Sequence, residues 1–308
     1  EGGAIRLCDI AGVPIRAHFL LPVVALLAGA GALTGGGGAV GVILAVLVAG
    51  PLLFLTVLAH EFGHVQAARR CGLTPDNILL WPLGGLAIIG GGVAGPKQQM
   101  FISGAGPATH LPMMLFWVLV LAICNGGSVT LSPAGMRLGE DFMAVLCINM
   151  LSNNLFMFIF NLMVPCFPLD CSQIFISGML VQGYDPSTAA KAMIISSVPV
   201  ICLVALMGLY AVLMGSSSSL LTIFVAGWLA MQTWQLHNAR LRGELGTHPL
   251  FAQGPSFAVA AAGTSTAAPQ VGGSVIGNPA GAGGRQVCVG ALITVASVVH
   301  AVISTAPR

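Results

Sequence analysis

The chain has 308 residues, 56% of them hydrophobic and 6% charged, with a formal net charge of +2 and a mean hydropathy of +0.94. Soluble domains carry about 25% charged residues, so a soluble globular domain is excluded. A charge this small and dispersed also excludes a nucleic-acid partner.

Taken in chain order, residues 5–19 (IRLCDIAGVPIRAHF) are two short apolar runs around an Asp and a Gly-Val-Pro, a β-type pattern. No Asp, Glu, Lys or Arg occurs from Ala17 to Ala59. A spanning helix needs about 20 apolar residues, so this stretch predicts two, at 18–33 and 39–62, turning at LTGGGG (Leu33–Gly38). Residues 78–95 (ILLWPLGGLAIIGGGVAG) are again β-like and too broken by Gly to span. Further charge-free runs predict spans at 99–124, 142–162, 192–214 and 220–237, the last two divided at GSSSS (Gly215–Ser219). The expected fold class is an all-α polytopic membrane protein of about six transmembrane helices, with small membrane-associated β segments at 5–19 and 78–95. Residues 1–243 form the membrane-embedded core and the Ala/Gly/Ser/Pro-rich stretch 244–285 a flexible linker. In the apolar segment 286–308, residues 287–304 form either a seventh span or an interfacial segment. No cleavable signal peptide is expected, because the first apolar stretch is followed at once by another.

With six spans, Arg6, Arg16, Arg69, Arg70, Lys97, Lys191, Arg240 and Arg242 fall on one face and only Arg137 on the other. The positive-inside rule makes the crowded face cytoplasmic. The cysteines (Cys8, Cys71, Cys124, Cys147, Cys166, Cys171, Cys202, Cys288) include no C-x-x-C pair. Most lie in apolar runs as small hydrophobes rather than as a disulfide framework.

The second predicted span runs into FLTVLAHEFGHVQAARR (54–70). His60 and His64 are four apart, one above the other on a helix face, so both imidazoles can reach one metal with Glu61 beside them. H-E-x-x-H is a zinc-peptidase arrangement: two His ligands, and a Glu that accepts a proton from the attacking water. So short a motif also arises by chance in soluble helices. Within a membrane a charged side chain costs about 2.5–3.5 kcal/mol and is kept where it lines a cavity or finds a partner. A third ligand must reach the same depth on the same side. The fourth predicted span returns there after Leu162, and NLMVPCFPLDC (Asn161–Cys171) follows, with Asp170 its one acidic residue. Pro165 and Pro168 break the helix, so backbone and carboxylate can turn inward. Read alone, Asp170 is equally an ordinary loop residue, and Cys166 and Cys171 are further potential ligands. His18 and His110 lie in apolar segments and read as core histidines, although His110 could contact the active-site region. His237, His248 and His300 have no evident partner.

Together these segments resemble the site-2 proteases, the intramembrane zinc metallopeptidases of peptidase family M50. HEFGH (60–64) matches that family's H-E-x-x-H, and NLMVPCFPLD (161–170) resembles its N-x-x-P-x-x-P-L-D-G motif. GVPIRAHFLL (12–21) resembles the segment leading into the first core helix, and PLGGLA (82–87) the Gly-rich strand between the second and third spans. ISGAGPATHLPM (102–113) resembles the A-G-P segment opening the third. The resemblance runs in order over most of 5–175, while the C-terminal third is similar only as apolar spans. Two departures stand out: the Asn161–Asp170 spacing is one residue longer, and Cys171 occupies the position of the family's Gly.

The expectation is one Zn2+ per chain held by His60, His64 and Asp170, with Glu61 as general base. The resemblance adds Asn161 as a hydrogen-bonding partner of the substrate or intermediate. It also implies an edge strand within 78–95 that captures an unwound transmembrane substrate by β-augmentation. The expected function is an intramembrane zinc endopeptidase cleaving transmembrane segments of membrane-anchored proteins, multi-pass, with its active site near the cytoplasmic side. Its partners are a transmembrane protein substrate and the lipid bilayer, with no nucleic acid. Two alternatives stay open. One is a catalytically silent relative acting as a membrane-protein binding or chaperone protein, suggested by Cys171. The other is a proton or metal transporter, which would carry internal repeats that the sequence does not display.

Overall fold

A computed structural model of the chain describes residues 3–82, 84–129, 131, 140–214, 219–248, 250–251 and 286–290. The predicted linker from residue 252 onward, Arg137 and residues 291–304 therefore lie outside the described residues.

The chain begins with strands β1 (Ala4–Ile10) and β2 (Val13–His18), an antiparallel pair turning at Ala11–Gly12, both at positive φ. Helix α1 (Leu21–Thr34) follows, then α2 (Gly38–Leu47), which passes through a π-helical turn at Val48–Leu52 into α3 (Leu53–Arg70). Gly50 and Pro51 sit in that turn, where a missing N–H and a flexible backbone let the helix widen. Strands β3 (Thr74–Trp81) and β4 (Gly84–Gly90) precede α4 (Pro96–Ala108) and α5 (His110–Cys124), two stretches of one long helix meeting at Thr109. Then come α6 (Phe142–Met163), α7 (Asp170–Val181), α8 (Pro186–Leu213) and α9 (Ser219–Leu241). A last described strand, β5, is Gln286–Gly290.

The protein is mostly helical. Four helical stretches are long and apolar enough to cross a membrane: Gly38–Arg70, Pro96–Cys124, Phe142–Met163 and Pro186–Leu213. The expected count of six is not reached on these grounds. The first expected span forms a helix of only 14 residues, α1, short of the about 20 that cross a bilayer. The last, α9, has 23 residues but is not among the four. Leu26, Leu27, Leu213 and Ile123 are 66–80% exposed, an outward apolar surface suited to lipid rather than water.

The two β segments expected separately belong to one sheet, ordered β1-β2-β3-β4-β5. β2 and β3 are parallel, with Ile15 opposite Ile78 and Ala17 opposite Leu80; parallel neighbours need a crossover, which α1 to α3 supply. The period of two in β2, β3 and β4 turns Val13, Ile15, Ile78, Leu80, Ala87 and Ile89 to one face. That face packs on Val57, Val65 and Ala68 of α3 and Ile102 of α4. β3 begins at Thr74, earlier than the expected 78. The outer edge of β4 pairs antiparallel with β5, Gly85 opposite Gly290 and Ile89 opposite Gln286. The start of the C-terminal apolar segment is thus a strand.

α3 lies close against α4. A Cβ on Gly63 would stand 2.6 Å from the Ala105 carbonyl oxygen, the close approach that small residues permit between membrane helices. α4 also packs along α7, and α5 along α6. The interruption between α6 and α7 therefore lies level with the α4–α5 junction. Asp170, expected to turn inward after the break at Pro165 and Pro168, is buried there as the first residue of helix α7. The chain also remains packed beyond residue 243, with Leu245, Leu250 and Phe251 buried among α7, α8 and α9 residues.

Candidate metal centre

α3 turns a face of Thr56, Val57, His60, Glu61, His64, Val65, Ala67 and Ala68 inward. Three donor atoms meet there: His60 Nε2 lies 3.2 Å from His64 Nε2 and 3.1 Å from Asp170 Oδ2. His64 Nε2 lies 3.4 Å from Asp170 Oδ1, and all three residues are 0% exposed. Ligands about 2.0–2.1 Å from a tetrahedral zinc are about 3.3 Å from one another, so these separations fit such an ion. Two imidazoles and one carboxylate are a zinc-type donor set that leaves a position open. Gly106 of α4 makes the room. A Cβ there would collide with His64 Nε2 and stand 2.8 Å from His60 Nε2. Among the described residues this trio is the group placed to hold a metal.

Asp170 is delivered by the broken stretch between α6 and α7. Val164 and Leu169 are both extended, and the Phe167 N–H donates to Ser197 Oγ of α8 at 3.0 Å. The Leu169 carbonyl accepts from the Ser172 N–H at 2.9 Å and from Ser172 Oγ at 2.6 Å, closing the first turn of α7. One turn on, Gln173 Oε1 accepts from Gln99 Nε2 at 2.6 Å and from Ser103 Oγ at 3.2 Å. This buried cluster ties α7 to α4 beside the trio. Cys171 lies within α7 and is half-buried. Among the described residues Ala11 is the only non-glycine at positive φ, so no glycine-specific backbone is needed at Cys171. Cys166 is buried among Leu169, Val225 and Leu229, and neither thiol joins the trio.

Glu61 stands outside the trio, its carboxylate against the β4 backbone. A Cβ on Gly85 would collide with Glu61 Cγ and stand 2.5 Å from Oε1. Asn161 is buried on α6, in one stripe with Cys147, Met150, Asn154 and Met157. Its Nδ2 donates to the Met157 carbonyl at 3.0 Å, and its Oδ1 has no hydrogen-bond partner among the described residues.

Sequence reasoning passed over Asn154, Gly85 and Gly106, and placed His110 near the site without a partner. His110 Nε2 lies 3.0 Å from His60 Nδ1, and its Nδ1 lies 2.9 Å from Asn154 Oδ1. The available signal was spacing: Asn154 and Asn161 are seven apart, two turns on one helix face. His18, by contrast, is not part of the trio and stacks on Phe19.

Residues 48–144 match the model of peptidase family M50. The match covers about a third of the chain, and that segment is similar to this family. Zinc metalloprotease MJ0392 of Methanocaldococcus jannaschii is 30% identical over 204 residues, 65% of this chain and 53% of that protein. Rip3 of Mycobacterium tuberculosis is 32% identical over 152 residues, 49% of this chain and 32% of that protein. The chain thus spans between a third and about half of these relatives' own length. A solved site-2 protease from Methanocaldococcus jannaschii has a similar fold, with a TM-score of 0.50 at 22% identity over 75% of this chain and 94% of that one.

Proposed function

We propose that the chain is an intramembrane zinc endopeptidase that cleaves transmembrane segments of membrane-anchored proteins. The observation that carries this reading is the fully buried convergence of His60, His64 and Asp170 on one point, with Glu61 one residue from the first ligand. When bound, zinc supplies a Lewis acid that acidifies water and polarises a scissile carbonyl. His60, His64 and Asp170 hold and orient it. Glu61 accepts the proton of the attacking water and returns it to the leaving amine. Gly85 gives that carboxylate its space. Asn161 keeps a free Oδ1 and a second amide proton, and hydrogen-bonds the substrate backbone.

A spanning helix bonds all its own amides, so the substrate must unwind before a carbonyl can be attacked. We infer that the freed backbone adds as a strand at the edge of β4, whose Gly85 abuts Glu61. That edge is where β5 now pairs. α1 and α9 complete six crossings in this reading, and Arg69 and Arg70 at the end of α3 mark the cytoplasmic face near the site.

The test is cleavage of a model transmembrane substrate by the purified full chain, with zinc content measured in parallel. Glu61→Gln is expected to lower turnover by about 100- to 10,000-fold while retaining zinc. Undiminished cleavage would overturn the mechanism. Zinc binding by the wild type without any cleavage would instead favour a silent binding protein.

A further inference from the structure

We propose that His110 and Asn154 are positioning residues that fix the protonation pattern of His60, and so make it a metal ligand. The inference rests on the zinc reading above and deepens it.

The chain of hydrogen bonds has one consistent direction. Asn154 is 0% exposed, and its Nδ2 donates to the Met150 carbonyl of its own helix at 2.8 Å. Flipping the amide would set oxygen against oxygen, so Asn154 Oδ1 is the atom facing His110 Nδ1, 2.9 Å away. An oxygen can only accept, so His110 Nδ1 carries the hydrogen. The neutral imidazole then has a lone pair on Nε2, which faces His60 Nδ1 at 3.0 Å. His60 Nδ1 must donate to it. That leaves the lone pair of His60 on Nε2, the atom 3.1 Å from Asp170 Oδ2 and 3.2 Å from His64 Nε2. Had His110 presented N–H to His60, the hydrogen on His60 would sit on Nε2, where it blocks coordination.

His64 receives the same service from a different source. Its Nδ1 donates to the Ile102 carbonyl at 2.7 Å, a backbone group that no side-chain substitution removes. The two ligands are therefore oriented unequally. α4 fixes His64 through its backbone, while the His110–Asn154 pair fixes His60 through side chains on α5 and α6. All four groups of the line are buried. An unpaired imidazole N–H on His60 would be costly there, so removing the acceptor frees the ring to turn or change tautomer.

The experiment measures zinc affinity by chelator competition and the visible spectrum of the cobalt-substituted protein, on purified full chain. Thermal unfolding of the metal-free form controls for folding. His110→Leu keeps the bulk and loses the acceptor; it is expected to weaken zinc binding about 10- to 100-fold and to alter the cobalt bands. His110→Gln, which can place an amide oxygen near the lost Nε2, is expected to recover much of the affinity. Asn154→Leu should weaken binding in the same direction. Because the two act through one line, the double variant should lose no more than His110→Leu alone. Wild-type affinity and spectrum in a folded His110→Leu would overturn the proposal, as would fully additive losses. Should His110→Leu fail to fold, the Asn154→Leu and His110→Gln arms decide. Zinc binding by the wild type that survives in His60→Ala would instead overturn the underlying metal site.

Discussion

A single methyl group at position 106 would occupy the space that two ligand nitrogens need. Gly106→Ala is expected to displace His60 or His64 and lower zinc affinity at least tenfold, at a folding cost of about 1–3 kcal/mol for overpacking. Chelator competition and thermal unfolding check both numbers. Gly85→Ala tests a different atom, because its Cβ would collide with Glu61 and not with the ligands. It should leave zinc bound and lower kcat, a split that separates base from ligand. At this scale the sequence disclosed His60, Glu61 and His64 through their spacing, and Asp170 through its depth after two prolines. His110 was legible as a residue that could reach the site, but not its partners, because an apolar segment with one imidazole does not say which neighbour it meets. Gly85 and Gly106 stayed hidden because an absent side chain leaves no pattern of its own.

Helices α4 and α7 are joined by hydrogen bonds rather than by apolar packing alone. Gln173→Leu would remove the acceptor that Gln99 Nε2 and Ser103 Oγ share, leaving Gln99 only its bond to Ser103 Oγ, and is expected to cost about 1–3 kcal/mol. Since Gln173 lies one turn from Asp170, faster zinc release should accompany the lower unfolding temperature. The segment after α9 makes a second prediction. His248 is packed beside Phe167 and Phe251 and accepts at Nδ1 from the Leu250 N–H at 3.3 Å. Burial pushes its pKa from 6.5 down to about 4. Between those values the unfolded chain binds a proton that the folded chain refuses, so the stability present above pH 6.5 declines as pH falls towards 4. The loss is on the order of 3 kcal/mol, and His248→Gln should flatten that part of the profile in unfolding measured across pH. Apolar length made the long helices legible. The α6–α7 break was legible as Pro165 and Pro168, but not α7 itself, because Asp170 looked like the end of an element rather than its first residue. The pairing of residues 5–19 with 74–90 was hidden because a parallel register depends on three intervening helices.

For the whole molecule, four helical stretches of the described residues have the length and composition to span a membrane, and His60, His64 and Asp170 form a candidate metal centre among them. The sheet covers the α3 side of that centre, and its last strand comes from a point in the chain about two hundred residues after its neighbour, Gly290 opposite Gly85. A strand on the same chain is a tethered competitor. Its effective concentration is set by the intervening segment and reaches the millimolar range for short flexible connections. Under the proposed function, a transmembrane segment docking on β4 would have to displace it, and cleavage would then be throttled by a vacancy equilibrium rather than by the chemistry at Glu61. Truncation after Phe251 should then lower KM several-fold with kcat little changed. A synthetic peptide spanning 284–292, added back, should behave as a competitive inhibitor. Unchanged KM in the truncated chain would mean that substrates enter elsewhere. Under the proposed function, a protease built this way would idle by default and admit the segments that surrender their helix most readily.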